Sequence, residues 1–147
     1  MGKLIADEIY VGLVYSFVSK ILVVDGSVSN VVINSTDSVG ERPFVCLSNI
    51  GSECYWAEIT KQDRTDDHGN ELRLLIKPEW KRTENNFSNK WIKDSQYING
   101  CLYKGPSLSF CSAGNDILEL GKRRFVTSDG VEAIKCFFKL NKMICIP

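Results

Sequence analysis

The chain has little of what an ordinary metal or acid–base enzyme needs. Its 147 residues include one histidine, His68, and six cysteines, none of them in a Cys-x-x-Cys pair. Zinc-ligand spacing is therefore missing, and no metal or other cofactor is expected. No Ser-His-Asp grouping and no glycine loop for phosphate is visible. Charge of one sign is missing too, since Lys+Arg 18 balance Asp+Glu 18. A neutral chain has no general attraction to nucleic acid, so any such contact must come from local patches. The longest apolar region, Ile9 to Val24, is broken by Gly12, Ser16, Ser19 and Lys20. A bilayer needs roughly 20 apolar residues, so no membrane contact is expected. The acidic residues in MGKLIADEIY do not suit an export segment, and the six thiols are expected reduced in a cytoplasmic protein.

What is present describes a soluble globular chain. Hydrophobic residues make up 44% and charged residues 24%, which fits a single domain over residues 1–147 with a core of its own. The most informative stretch starts at Arg42-Pro43. An apolar run, Phe44-Val45-Cys46-Leu47, leads to Ser48-Asn49 and a Gly51-Ser52 turn, and a second run, Tyr55-Trp56-Ala57-Glu58-Ile59-Thr60, follows. Two such runs around a turn predict a β-hairpin. Pro43 lacks a backbone N–H, so it suits the start of a strand and not the middle of a ladder. Alternation puts Tyr55, Ala57 and Ile59 on one face and Trp56, Glu58 and Thr60 on the other. Arg42 enters one strand and Thr60 leaves the next, so the two border one end of the pair.

Arg42-Pro43-Phe44-Val45-Cys46-Leu47-Ser48-Asn49, followed by Ala57-Glu58-Ile59-Thr60-Lys61, resembles the MazF/Kid (PemK-like) family of toxin endoribonucleases. The resemblance implies a small SH3-like barrel and a sequence-selective endoribonuclease toxin that cuts single-stranded RNA. It also implies a cognate antitoxin over the RNA groove and a homodimer. In the family, the residues matching Arg42 and Thr60 carry the chemistry. The later family strand usually runs into Gln-Ile-Arg-Thr. Here Asn99-Gly100-Cys101-Leu102-Tyr103 stands in that place, so no second arginine carries over.

The rest of the chain fits a mostly β fold. Glu8 to Val18 is expected as a strand, because β-branched and aromatic residues outweigh an ambiguous period. Ile21 to Val24 and Val28 to Ile33 flank Asp25-Gly26 and predict an extra hairpin over 20–34. Residues 61–70 read as a polar loop carrying His68, and Glu71 to Lys77 as a half-buried strand. Ser107 to Ser112 is expected as another short strand. Asp129 and Glu132 offer a capping box for a C-terminal helix over about 129–141, with Val131, Ile134 and Phe138 on one face.

Chemistry narrows to a few groups. A metal-independent ribonuclease uses the substrate's 2′-OH as nucleophile and must stabilise charge on the phosphate. Arg42 suits that task, since a guanidinium stays charged and grips two phosphate oxygens, although it makes a poor general base. Thr60 is expected to orient the 2′-OH or donate to a phosphoryl oxygen. Between Pro78 and Lys93 basic residues alternate with aromatics, as RNA binding by stacking and phosphate contact requires. Lys61, Gln62, Lys81, Arg82, Lys90 and Trp91 are the RNA-contact candidates. The same pattern also suits a surface loop pinned by its tryptophans. A non-catalytic binding or inhibitor protein on the same barrel is the alternative function.

Overall fold

The computed structural model describes residues 4–18, 21–22, 26–32, 41–61, 73–114 and 122–147. Eight strands can be followed among them: β1 (Leu13–Val18), β2 (Ser29–Val32), β3 (Glu41–Ile50), β4 (Glu53–Thr60), β5 (Leu74–Leu75), β6 (Lys81–Thr83), β7 (Tyr97–Pro106) and β8 (Arg124–Val126). Three helices accompany them: α1 (Lys90–Lys93), α2 (Ser107–Ala113) and α3 (Ser128–Lys142). The strands form one antiparallel sheet in the order β2-β7-β4-β3-β1-β8-β6, with β5 also paired to β7. This is the expected mostly β fold with a C-terminal helix, and its curled sheet is compatible with a small barrel.

The predicted hairpin is β3–β4. Its turn residues Gly51 and Ser52 both have positive φ, at 60° and 67°, as a tight two-residue connection between twisted strands requires. Pro43 lies further inside the sheet than its sequence suggests, opposite Ser16 of β1. The β3–β4 ladder begins only at Phe44 and Glu58, so the missing N–H of Pro43 interrupts no bond to β4.

Both sheet faces are covered, which explains why β1, β3 and β4 read as nearly continuous apolar runs. On one face Phe17 packs edge-on against Trp56 at 4.8 Å between ring centroids and against Phe44 and Phe110 at 5.5 Å each. Helix α2 closes this face through Phe110 and Ala113. On the other face Val14, Val45, Ala57, Ile59 and Leu102 pack against Val131, Ile134 and Phe138 of α3. The alternation expected for β4 is thus observed, with Trp56 on the first face and Ala57 and Ile59 on the second.

Several expectations change. Residues 6–8 form a 3₁₀ turn, and the first strand starts only at Leu13. Of the hairpin expected over 20–34, Ile21 and Leu22 have helical backbone and β2 pairs with β7. Residues 20, 23–25 and 33–34 of that span lie outside the described residues. Ser107 to Ala113 is helical, because Phe110 and Ala113 at i and i+3 both turn into the core. Helix α3 is capped by Thr127, whose hydroxyl accepts from Gly130 N at 3.3 Å, and Asp129 sits in the first turn. Among the described residues no helix is long and apolar enough to cross a membrane.

Candidate functional site

The open end of the β3–β4 hairpin gathers the polar groups of the first face. Thr60 is the last residue of β4 and pairs with Tyr97 of β7. Arg42 is the second residue of β3 and pairs with Phe17 of β1. The last β3–β4 pair is Phe44 with Glu58. Arg42 comes two residues before Phe44 and Thr60 two residues after Glu58, so equal steps carry both to one end of the hairpin. Arg42 is exposed, whereas Thr60 is only 9% exposed.

A carboxylate lies deeper on the same face. Glu58 is 3% exposed, and its Oε1 accepts a hydrogen bond from Asn99 Nδ2 at 3.0 Å. The register explains how Asn99 reaches it. Ala57 pairs with Leu102 and Ile59 with Ile98, so Glu58 faces three residues of β7: Asn99, Gly100 and Cys101. Such a bulge needs one residue with reversed backbone, and Gly100 supplies it at φ 89°. Asn99 Oδ1 accepts from the Cys101 backbone N–H at 3.0 Å, which fixes the amide with its NH₂ toward Glu58. Burial, followed by the charge of Glu58 and then Cys101, pushes the nearby Tyr103 phenol up to about 12. Arg73 is also buried and stands one residue before the Leu74–Ile98 pair, which brings it alongside Asn99 on the far side of β7.

Sequence reasoning missed these partners. Glu58 was only a member of the Trp56 face, Asn99 only a departure from a family motif, and Arg73 only one residue of a half-buried strand. The one available signal was a carboxylate on the strand face that carries a tryptophan, because a charge there must find partners inside.

The basic and aromatic stretch is divided by the fold. Lys81 is 5% exposed, and its Nζ donates to Asp94 O at 2.6 Å and Gln96 Oε1 at 2.8 Å. Burial, partly offset by Asp94, lowers the pKa of this ammonium. Trp91 is 4% exposed and its indole N–H donates to Arg82 O at 3.1 Å, pinning α1 onto β6. These two groups hold the segment to the sheet. Lys61, Arg82 and Lys90 remain exposed, with Lys61 Nζ 3.9 Å from Asp94 Oδ2. Gln62 and His68 lie outside the described residues.

Other reactive groups are accounted for by structure. Arg123 bridges Glu8 Oε2 at 2.8 Å and Glu84 Oε1 at 3.6 Å, tying the N-terminal turn to the end of β6. None of the six cysteines forms a disulfide, and Cys46 and Cys54 act as thiol donors to Ser48 O and Asn49 Oδ1. Among the described residues no three His, Cys, Asp or Glu side chains stand together as metal ligands. Compared with protein-family models, curated proteins and solved structures, the chain has no match.

Proposed function

We propose that the chain is a sequence-selective endoribonuclease of the toxin type, which cuts single-stranded RNA without a metal by using the substrate's own 2′-OH. The observation that supports this reading is that the β3–β4 register carries Arg42, an exposed cation, and Thr60, a hydroxyl, toward the same end of the hairpin. Arg42 grips the scissile phosphate and stabilises the charge that grows on its oxygens. Thr60 orients the 2′-OH. Exposed Lys61, Arg82 and Lys90 hold the flanking phosphates. The cognate antitoxin, a second copy of the chain and the cytoplasmic setting rest on the family resemblance.

The test is cleavage of a long single-stranded RNA with and without chelator. The expected products end in 2′,3′-cyclic phosphate, and DNA resists because it lacks the nucleophile. Activity abolished by chelator and restored by magnesium overturns the mechanism.

One observation favours a second reading, a binding or inhibitor protein on the same barrel. Thr60 and Lys81 are both largely taken up inside the fold. A pure preparation that binds RNA or protein but cuts no RNA selects this alternative.

A further inference from the structure

The basic and aromatic stretch over 78–93 and the basic run Lys122-Arg123-Arg124 are distant in the chain, and the fold joins them. β6 and β8 pair antiparallel with Thr83 opposite Arg124, so the chain leaving β6 meets the chain entering β8. Glu84 N donates to Arg123 O at 2.9 Å, and Arg123 N donates to Glu84 Oε1 at 3.2 Å. A tight loop follows. Asn85 and Asn86 both take left-handed backbone, at φ 55° and 53°, and Thr83 Oγ1 closes the loop by donating to Phe87 O at 2.6 Å. Two such non-glycine residues in succession are uncommon and strained, even for asparagine.

This strained loop leaves its aromatic ring in solvent. Phe87 is 39% exposed, and the exposed Lys122 holds its Nζ over the ring at 4.8 Å from the centroid. Glu84, the acid of the loop, is engaged by Arg123, while Arg82 on β6 and Lys90 on α1 are exposed cations nearby. The local surface is therefore positive in a chain whose net charge is zero. A flat apolar ring beside cations is what single-stranded RNA takes, with a base on the ring and a phosphate on the cation. Register brings this loop toward the end of the sheet where Arg42 enters. β8 also runs antiparallel to β1, with Leu13 opposite Phe125 and Val14 opposite Arg124, so residue 122 lies toward the Val18 end of β1, and Arg42 pairs with Phe17 at that end. The strands β3, β1, β8 and β6 are successive neighbours, and three steps of about 5 Å across the sheet are within the span of a few nucleotides.

We propose, resting on the nuclease reading above for the identity of the substrate, that Phe87 and Lys122 form a stacking subsite for one nucleotide of the single-stranded RNA. The base lies on the solvent-facing part of the Phe87 ring, and Lys122 takes the phosphate beside it. Arg82 and Lys90 continue the positive track along β6 and α1.

The experiment measures affinity apart from cleavage. A fluorescent single-stranded RNA bearing 2′-O-methyl groups lacks the nucleophile, so it stays whole while the full-length wild type, Phe87→Leu, Phe87→Trp and Lys122→Gln are titrated against it over a range of salt. Phe87→Leu keeps an apolar side chain without a π face and weakens binding on the order of 10-fold or more, the usual loss for one stacked base. Its salt slope stays at the wild-type value. Phe87→Trp binds at least as tightly as wild type. Lys122→Gln weakens binding and lowers the slope of log affinity against log salt by about 0.7, the loss of one phosphate contact to a single strand. Should Phe87→Leu fail to fold, Lys122→Gln decides through its slope, since it changes only an exposed side chain. Phe87→Leu binding as tightly as wild type, or Lys122→Gln keeping the full slope, overturns the subsite, as does a wild type that does not bind this RNA. If natural RNA is still cut in those cases, the nuclease reading stands without the subsite. A wild type that shows these losses but cuts no natural RNA overturns the nuclease reading and leaves the subsite in place.

Discussion

Asn99 Nδ2 donates to Glu58 Oε1 at 3.0 Å from within a bulge that sets three residues of β7 against one of β4. The bond joins positions 41 residues apart in the chain. It anchors a charge in the middle of the sheet, where a carboxylate without partners would be strongly unfavourable. Removing the donor therefore costs more than an average hydrogen bond. Asn99→Ala is expected to destabilise the fold by about 2 kcal/mol, the usual penalty when a buried charged group loses a partner. In a double-mutant cycle with Glu58→Gln the two losses should be less than additive in urea unfolding. Additivity within about 0.5 kcal/mol would show that the bond contributes nothing.

On the proposed nuclease reading, Arg42 and Thr60 separate function from stability. Arg42 is exposed, so Arg42→Ala is expected to change stability by less than ~0.5 kcal/mol. Loss of a charge-assisted donor to the developing phosphate charge costs about 3 kcal/mol of barrier, on the order of a hundredfold in rate. Thr60 is buried, so Thr60→Val is the cleaner change because it keeps the volume. It should lower cleavage similarly and cost about 1 kcal/mol for the lost hydroxyl. Cleavage rates beside melting curves check both, with His68→Ala expected to keep most activity. Arg42→Ala cutting normally while His68→Ala is inactive would move the site into the polar loop.

Lys81 makes a pH prediction of definite sign. Burial lowers its pKa in the folded state, while in the unfolded chain it titrates at the ordinary lysine value. Between those two points the unfolded chain holds more protons, and stability rises with pH. Wild type should therefore gain stability relative to Lys81→Met as pH climbs through the range just below the ordinary lysine value. Urea midpoints for both proteins over that range are the measurement, and a constant difference would contradict the burial of the ammonium.

Gly130 tests close packing at the start of α3. A Cβ there would lie 2.5 Å from Val126 Cγ1 and 2.7 Å from Trp80 Cβ. Helix propensity alone favours Gly130→Ala by up to about 1 kcal/mol. Forcing a methyl into an occupied space costs about 1–3 kcal/mol, so steric overlap wins. The expected result is a lower melting temperature for Gly130→Ala. A rise would mean that Trp80 can retreat.

Elements with a strong local signal were legible before the fold was known. Phe44 to Leu47 and Tyr55 to Thr60 are apolar runs around Gly51-Ser52, and they form β3 and β4. Val131, Ile134 and Phe138 share a face at helical spacing, and they seat α3 on the sheet. Ser107 to Ala113 misled because Leu108 and Phe110 alternate over too short a span to distinguish period 2 from period 3.6. Thr127 was passed over as a cap because Asp129 offers the same chemistry two residues later.

Sequence by itself determined the mostly β class, the central hairpin with Arg42 and Thr60 at its open end, and the terminal helix. Each depends on residues close together in the chain, where period, turn chemistry and capping act. Tertiary structure decided which polar groups are internal. Lys81 looks like a surface cation until Asp94 and Gln96 close over it, and Asn99 looks only like a departure from a family motif until the bulge aims it at Glu58. Those outcomes depend on strand order and register across β4 and β7, which long-range packing sets and no local pattern encodes.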